Sequence, residues 1–405
     1  MTRIEPVQIE SPGFKSNPHP FYARLREGSP VARVKLLNGR PAWVVARYAD
    51  VAGLLKDGRF AKDRANAVTG DQLAKLPRPP KAFAPLMRNM LDRDDPDHAR
   101  LRRLVQKGFT SQRVETLAER TQVLSDQLID RATARGGFDL INDFALPLPV
   151  TVISEMLGVP EPDRARFARW SKTIITNTMT PLSLLVSMPH MLAFLRYLRW
   201  LIEEKRRRPA DDLTTALVEA EESGDALDAD ELLAMVAILL SAGHETTTNL
   251  IGNGMLALLQ HPDQFERLGA QPELIEPAIE ELLRFGSPVE MSTFRYARED
   301  LEIAGQPIAR GDMVLALIAS ANRDETQFPQ AERLDLGREP NRHLTFGLGG
   351  HFCVGAPLAR MEGRIAVNTL VRRLPTLRLL RPDAPLRWRR GLVLRGLETL
   401  PVIIS

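Results

Sequence analysis

The chain has 405 residues, 44% hydrophobic and 26% charged, an ordinary globular composition able to bury a large core. Lys plus Arg exceed Asp plus Glu by only three (54 against 51), which excludes a global nucleic-acid signature. One cysteine excludes an internal disulfide framework and fits a reducing compartment, so a cytoplasmic protein is expected.

In chain order, the first 60 residues predict a helix around PFYARLREG, two strands, VARVKLL and PAWVVARY, and a short helix, ADVAGLLKDG. Residues 59 to 95 read as irregular, with KLPRPPK in the middle and RDDPDH at the end. A loop of that length in a compact chain is usually functional. Helical patterns resume in HARLRRLVQKGF and in TSQRVETLAERTQVLSDQLIDRATARGG, which Gly136 and Gly137 terminate. More helices follow to about residue 222. Among them TNTMTPLSLLVSMPHM (176 to 191) is apolar and proline-broken, as a lid between two helices would be.

A very long helix is predicted from about Asp228 to Gln260, and helix again over 272 to 285. Short β pieces come next, including LEIAGQPIARGD, where Ala304-Gly305 marks a tight turn. After the cysteine, PLARMEGRIAVNTLVRRL is helical, with Pro357 in its first turn. No repeat, low-complexity tract or linker divides the chain. The expectation is a single domain over 1–405, mainly α with a minor antiparallel β region. No N-terminal run has the apolar core of a signal peptide. LLAMVAILLSA (232 to 242), at 11 residues, falls short of the ~18 that span a bilayer, so no membrane anchor is expected.

The one thiol, Cys353, stands in HLTFGLGGHFCVGAPLARME. Glycines at 347, 349, 350 and 355 let the backbone turn tightly and approach a ligand closely. Cys353 precedes a helix, where partial positive charge favours a thiolate. No second Cys or clustered His completes a tetrahedral zinc set. Haem iron needs one protein ligand and leaves its opposite face open.

Phe346, Gly347, Gly349, His351, Cys353 and Gly355 reproduce F-G-x-G-x-H-x-C-x-G, and on that motif the chain resembles the cytochrome P-450 haem-thiolate monooxygenases. The resemblance spans nearly the whole chain. It implies the family fold, with the long central helix lying across haem b, and Cys353 as the iron ligand. Phe346, Gly347 and Gly355 would pack around the sulfur and tune it. It implies that Glu281 and Arg284 of EELLR, at i, i+3, join Arg333 in a buried network supporting the cysteine loop. Spacing alone equally allows Glu280 to pair with Arg284 at i, i+4. His98, Arg102, Arg295 and His351 match the positions that bind the haem propionates.

In SAGHETTTN, residues Ala242, Gly243, Glu245 and Thr246 match A-G-x-[DE]-T. Gly243 weakens the helix, and Thr246 is able to bond the carbonyl four residues back and bend it. Room for dioxygen follows, with Ala242 against the cofactor. Glu245 offers protons a route from solvent. By matching positions, Ile238, Ala242, Thr246, Met291, Thr293, Val393 and Leu394 should line an apolar substrate cavity that the 78–92 and 176–191 segments close.

Arg103, Lys107, Arg360 and Arg364 are expected to form a basic rim where a redox partner docks. With 52 residues after Cys353 no fused reductase is expected. Electrons from NAD(P)H would then arrive through a separate ferredoxin or flavodoxin-type donor and its reductase. The expected activity is insertion of one atom of dioxygen into a lipophilic small molecule, by hydroxylation or epoxidation, in a monomer. Two other readings stay open: a peroxide-driven haem-thiolate peroxygenase, and a non-catalytic binding or recruitment module of the same fold.

Overall fold

A computed structural model describes residues 8–70, 73, 83–108, 111–134, 136–175, 181–222 and 227–404. Helices dominate, with small sheets beside them. The longest helix, Ala229–Gln260, is the central one; most side chains along it are buried, as its largely apolar sequence requires. Asp228 caps its start: the Asp228 side chain accepts the Glu231 N–H, and Glu231 reaches back to the Asp228 N–H. The Glu231 carboxylate also receives Arg100 of helix Asp97–Gly108 through two bonds of 2.7 and 3.0 Å. Two helices that wall the site are thereby fixed to one another.

The helix Ala356–Arg373 follows the cysteine and packs on Ser111–Thr133 and on the central helix. Helix Ile275–Gly286 packs beside it. One helix, Pro262–Ala270, has no counterpart in the sequence reading. Pro262 sits in its first turn, where its missing N–H costs nothing, so this proline begins a helix rather than only ending the one before.

Among the described residues, ten strands make three sheets. Strands β1 (Val31–Lys35), β2 (Pro41–Val45), β3 (Phe60–Ala61), β5 (Arg295–Ala297) and β8 (Met313–Ala316) pair in the order β1-β2-β8-β5-β3. Strands β4 (Gly137–Asp139), β9 (Leu377–Leu379) and β10 (Pro401–Ile404) form the second. Strands β6 (Leu301–Ile303) and β7 (Gln306–Ile308) form the third; the turn between them holds Ala304 at φ 48° and Gly305 at φ 79°. Every pairing is antiparallel except β2 with β8, where Trp43 faces Val314. The long stretch between them, which includes the central helix, connects that pair and is long enough to return a strand in the same direction.

Residues 181–191, expected as part of a lid loop, instead open the helix Pro181–Arg207; Pro189 lies inside it. The rest of that segment, 176–180, lies outside the described residues, as do 78–82 of the other expected cover. Among the described residues no helix is long and apolar enough to cross a membrane.

Candidate active site

Between the central helix and the cysteine loop lies a cavity of about 280 Å³. Its floor is the loop: Phe346, Gly347, Cys353, Val354 and Gly355 all line it. Gly347 and Gly349 adopt φ of 72° and 73°, a left-handed backbone that a side chain would strain. The Cys353 N–H donates to the Phe346 carbonyl at 2.9 Å and closes the loop on itself. The sulfur opens onto the cavity inside the protein. Burial pushes its thiol up; the N–H groups of Gly355 and Ala356, and the cations Arg102 and Arg360, pull the other way. Among the described residues no cluster of three or more His, Cys, Asp or Glu offers a metal site.

One end of the cavity is cationic. His98, Arg102, Arg295 and His351 line it, and no Asp or Glu does. The His98 and His351 rings lie 4.0 Å apart at 35°. Burial, then His98, Lys62, Arg295 and Arg102, press His351 down to about 3. Burial alone lowers Arg295 to about 10. Two guanidinium groups and two imidazoles, with no carboxylate on the wall, make a site for an anionic ligand. A flat ligand with two carboxylates at one edge and a thiol-seeking metal at its centre fits both ends of this cavity.

Comparison with known proteins agrees with that reading. The cytochrome P-450 family model matches residues 6–377. Cytochrome P-450 107B1 of Saccharopolyspora erythraea is 46% identical over 391 residues, 96% of this chain and 95% of that one. The cytochrome P-450 monooxygenase PikC of Streptomyces venezuelae is 44% identical, covering 96% and 91%. A crystal structure of the myxobacterial cytochrome P-450 CYP267B1 in complex with myristic acid superposes with a TM-score of 0.92 at 40% identity, covering 98% of each chain. The chain belongs to the cytochrome P-450 family. It is a monooxygenase that uses haem and dioxygen, and both a substrate and a redox partner belong to its reaction.

In this cytochrome P-450 the wall opposite the cysteine is the central helix, which presents Ile238, Ala242, Gly243 and Thr246 to the cavity. The Thr246 hydroxyl donates to the Ala242 carbonyl at 3.0 Å. The helix runs unbroken through Gly243, and that glycine has a packing reason instead: a Cβ there would meet Ile153 Cγ1 at 2.8 Å. Glu245 differs from expectation. It does not line the cavity and is 2% exposed, so it offers no direct path from solvent. One helix step turns it away from Thr246, onto the Arg389 guanidinium at 2.5 Å. Met291, Thr293 and Val393 line the cavity, as does Ile238. Leu394 does not, because neighbours in extended chain point to opposite sides, and it bridges to Val289 instead.

Of the network, Glu281 and Arg284 are fully buried and meet through two bonds of 2.7 and 2.8 Å. Arg333 does not bring its side chain. That side chain is exposed near Gln330, and only the Arg333 carbonyl accepts from Arg284 at 3.2 Å. Its place is taken by Arg338, whose Nε lies 3.2 Å from both Glu281 oxygens. A turn at Gln330, φ 52°, throws Arg333 outward; sequence spacing carries no sign of that. The expected basic rim is partly self-neutralised. Arg360 pairs with Glu280 and Arg364 with Glu276, while Arg103 is exposed. The Lys107 side chain lies outside the described residues.

Lys62 went unnoticed in the sequence. It is buried, and its Nζ donates to Thr293 Oγ1 and to the Phe294 carbonyl at 2.9 Å, the two residues just before Arg295. Burial first, then Arg295, lower its ammonium to about 7, while Asp92 and Asp94 pull it back. Carboxylates arriving beside Arg295 would restore the charged form. Haem binding to the cofactor-free chain should therefore take up a proton above pH 7, and affinity should fall as pH rises from 7 to 9. The fall is at most about tenfold per pH unit. In Lys62→Met that slope should shrink; an unaltered slope, titrated by Soret absorbance, would assign the proton elsewhere.

Proposed function

We propose that this cytochrome P-450 oxidises a lipophilic small molecule in the cytoplasm, as a monomer. Electrons from NAD(P)H reach it through a separate ferredoxin or flavodoxin-type donor and its reductase. The observation that carries the substrate class is the distribution of polarity in the cavity. Cations gather at one end, and the remaining wall is mostly aliphatic: Ile153, Ile238, Leu239, Ala242, Met291 and Val393. The myristic acid bound to the myxobacterial relative suits the same reading.

In this proposal Cys353 ligates the iron, and His98, Arg102, Arg295 and His351 hold the propionates. Haem supplies the redox centre at which dioxygen is reduced. The reaction consumes substrate, dioxygen, two electrons and two protons and yields oxygenated product and water. The protons fall to the chain's own residues. Thr246 Oγ1 spends its hydrogen on Ala242, so its lone pairs are free to hold a proton donor in the cavity. To donate in turn, the hydroxyl must rotate away from that carbonyl. Glu245 must first loosen its bond to Arg389 before it moves a proton.

Thr246→Ala removes the hydroxyl and leaves the Gly243–Ile153 packing intact. The variant should bind haem and substrate as wild type does and keep consuming electrons, while product per electron pair drops several-fold and hydrogen peroxide rises to match. Product and peroxide are counted together in one assay with a ferredoxin and its reductase. Coupling as tight as wild type would leave Thr246 without a role in proton handling.

A further inference from the structure

Spacing left Glu280 and Glu281 as equal candidates for Arg284. Glu281 takes Arg284, and Glu280 turns toward the cysteine loop. Its two oxygens receive Arg360 through Nε and Nη2, both at 2.7 Å. His343 Nε2 lies 3.1 Å from the same carboxylate. His343 Nδ1 accepts the Thr345 N–H at 3.3 Å, which leaves Nε2 to face Glu280. The permanent positive charge on Glu280 is that of Arg360.

That guanidinium lies over the face of Phe346, 4.5 Å from the ring centroid. Phe346 in turn accepts the Cys353 N–H. Arg360 and the Cys353 sulfur also interact directly through charge, each favouring the ionised form of the other. The carboxylate thus holds the guanidinium, the guanidinium covers the Phe346 ring, and the Phe346 carbonyl is bonded to the cysteine N–H.

We propose that Glu280 is a positioning residue for the redox potential of the haem: it clamps Arg360 on Phe346 and offsets the positive field that Arg360 casts on Cys353. This rests on the reading of Cys353 as iron ligand. A cation beside a thiolate draws electron density from it and favours the reduced, more negative state of the centre. A carboxylate bound to that cation cancels part of the field. Arg360 and Glu280 are 35% and 27% exposed, so solvent screens the pair and the shift is modest.

The test is the reduction potential of three holoenzyme variants. Glu280→Gln should move it positive, because Arg360 loses its counter-charge. Arg360→Gln should move it negative. The double variant should lie nearer wild type than either single one. Shifts of one sign in both singles, or none, would overturn the proposal and leave the pair as a surface strut. Should Glu280→Gln not hold haem, Arg360→Gln decides alone: a negative shift supports the clamp, and any other result sinks it. The reduced, CO-treated spectrum of each variant reports the thiolate separately. Its absence in wild type would remove the ligand reading itself.

Discussion

Cys353→His should leave a protein that binds haem yet lacks the strongly red-shifted Soret band expected of the reduced, CO-treated wild type. Product formation should drop to background. The reason is local: Cys353 is the one thiol in the chain and it opens onto the cavity floor. An imidazole ligand pushes less electron density onto iron than a thiolate does, and O–O cleavage depends on that push. The cationic end is untouched by the substitution, so haem retention should persist. Retention of the red-shifted band would refute the ligand assignment.

Glu281→Ala should be nearly as damaging, by an unrelated route. Arg284 is fully buried and would lose the carboxylate that balances it, keeping only the carbonyls of Asn322, Ala331 and Arg333. Breaking a buried pair by removing one partner costs roughly 3–5 kcal/mol. Domains are stable by only about 5–15 kcal/mol in total. The Asp335 N–H, Arg338 and Asn341 lose their acceptor too, at 3.0, 3.2 and 3.1 Å, so the segment leading to the cysteine loop loosens with the core. Expected results are a strongly lowered melting midpoint and poor haem occupancy. Arg338→Ala should be milder, since that side chain reaches solvent (10% exposed). A Glu281→Ala protein that melts with wild type would show the network to be dispensable.

What the sequence disclosed, and what it hid, follows from how far apart the interacting residues lie. The cysteine loop is one contiguous segment, so its glycines, phenylalanine and thiol were readable together. The central helix declared itself through length and apolarity, and its cap through Asp228 and Glu231. Arg338 was hidden because it meets Glu281 across 57 residues, after a turn whose geometry no motif records. Arg389 was hidden for the same reason: it reaches Glu245 from 144 residues away. Leu394 failed on strand parity, where a shift of one residue exchanges inside for outside. Over residues 181–191 the prolines suggest a break, whereas the helix Pro181–Arg207 carries Pro189 within it. Lys62 gave no signal at all; a lysine in FAKDRAN looks like surface until β3 places it behind Thr293.

The Glu231 carboxylate serves both the first turn of the central helix and Arg100, which stands midway between His98 and Arg102 on their helix. A larger guest cannot be admitted by swinging that helix outward, because the same movement would uncap the wall that carries Thr246. The cationic end and the hydroxyl-bearing wall thus behave as one jaw of a vice. Room to change the cavity's width is left to the segments that supply Met291 and Val393, which, among the described residues, no bond ties to Glu231. Variation confined there would let one oxygen-handling apparatus serve guests of many shapes.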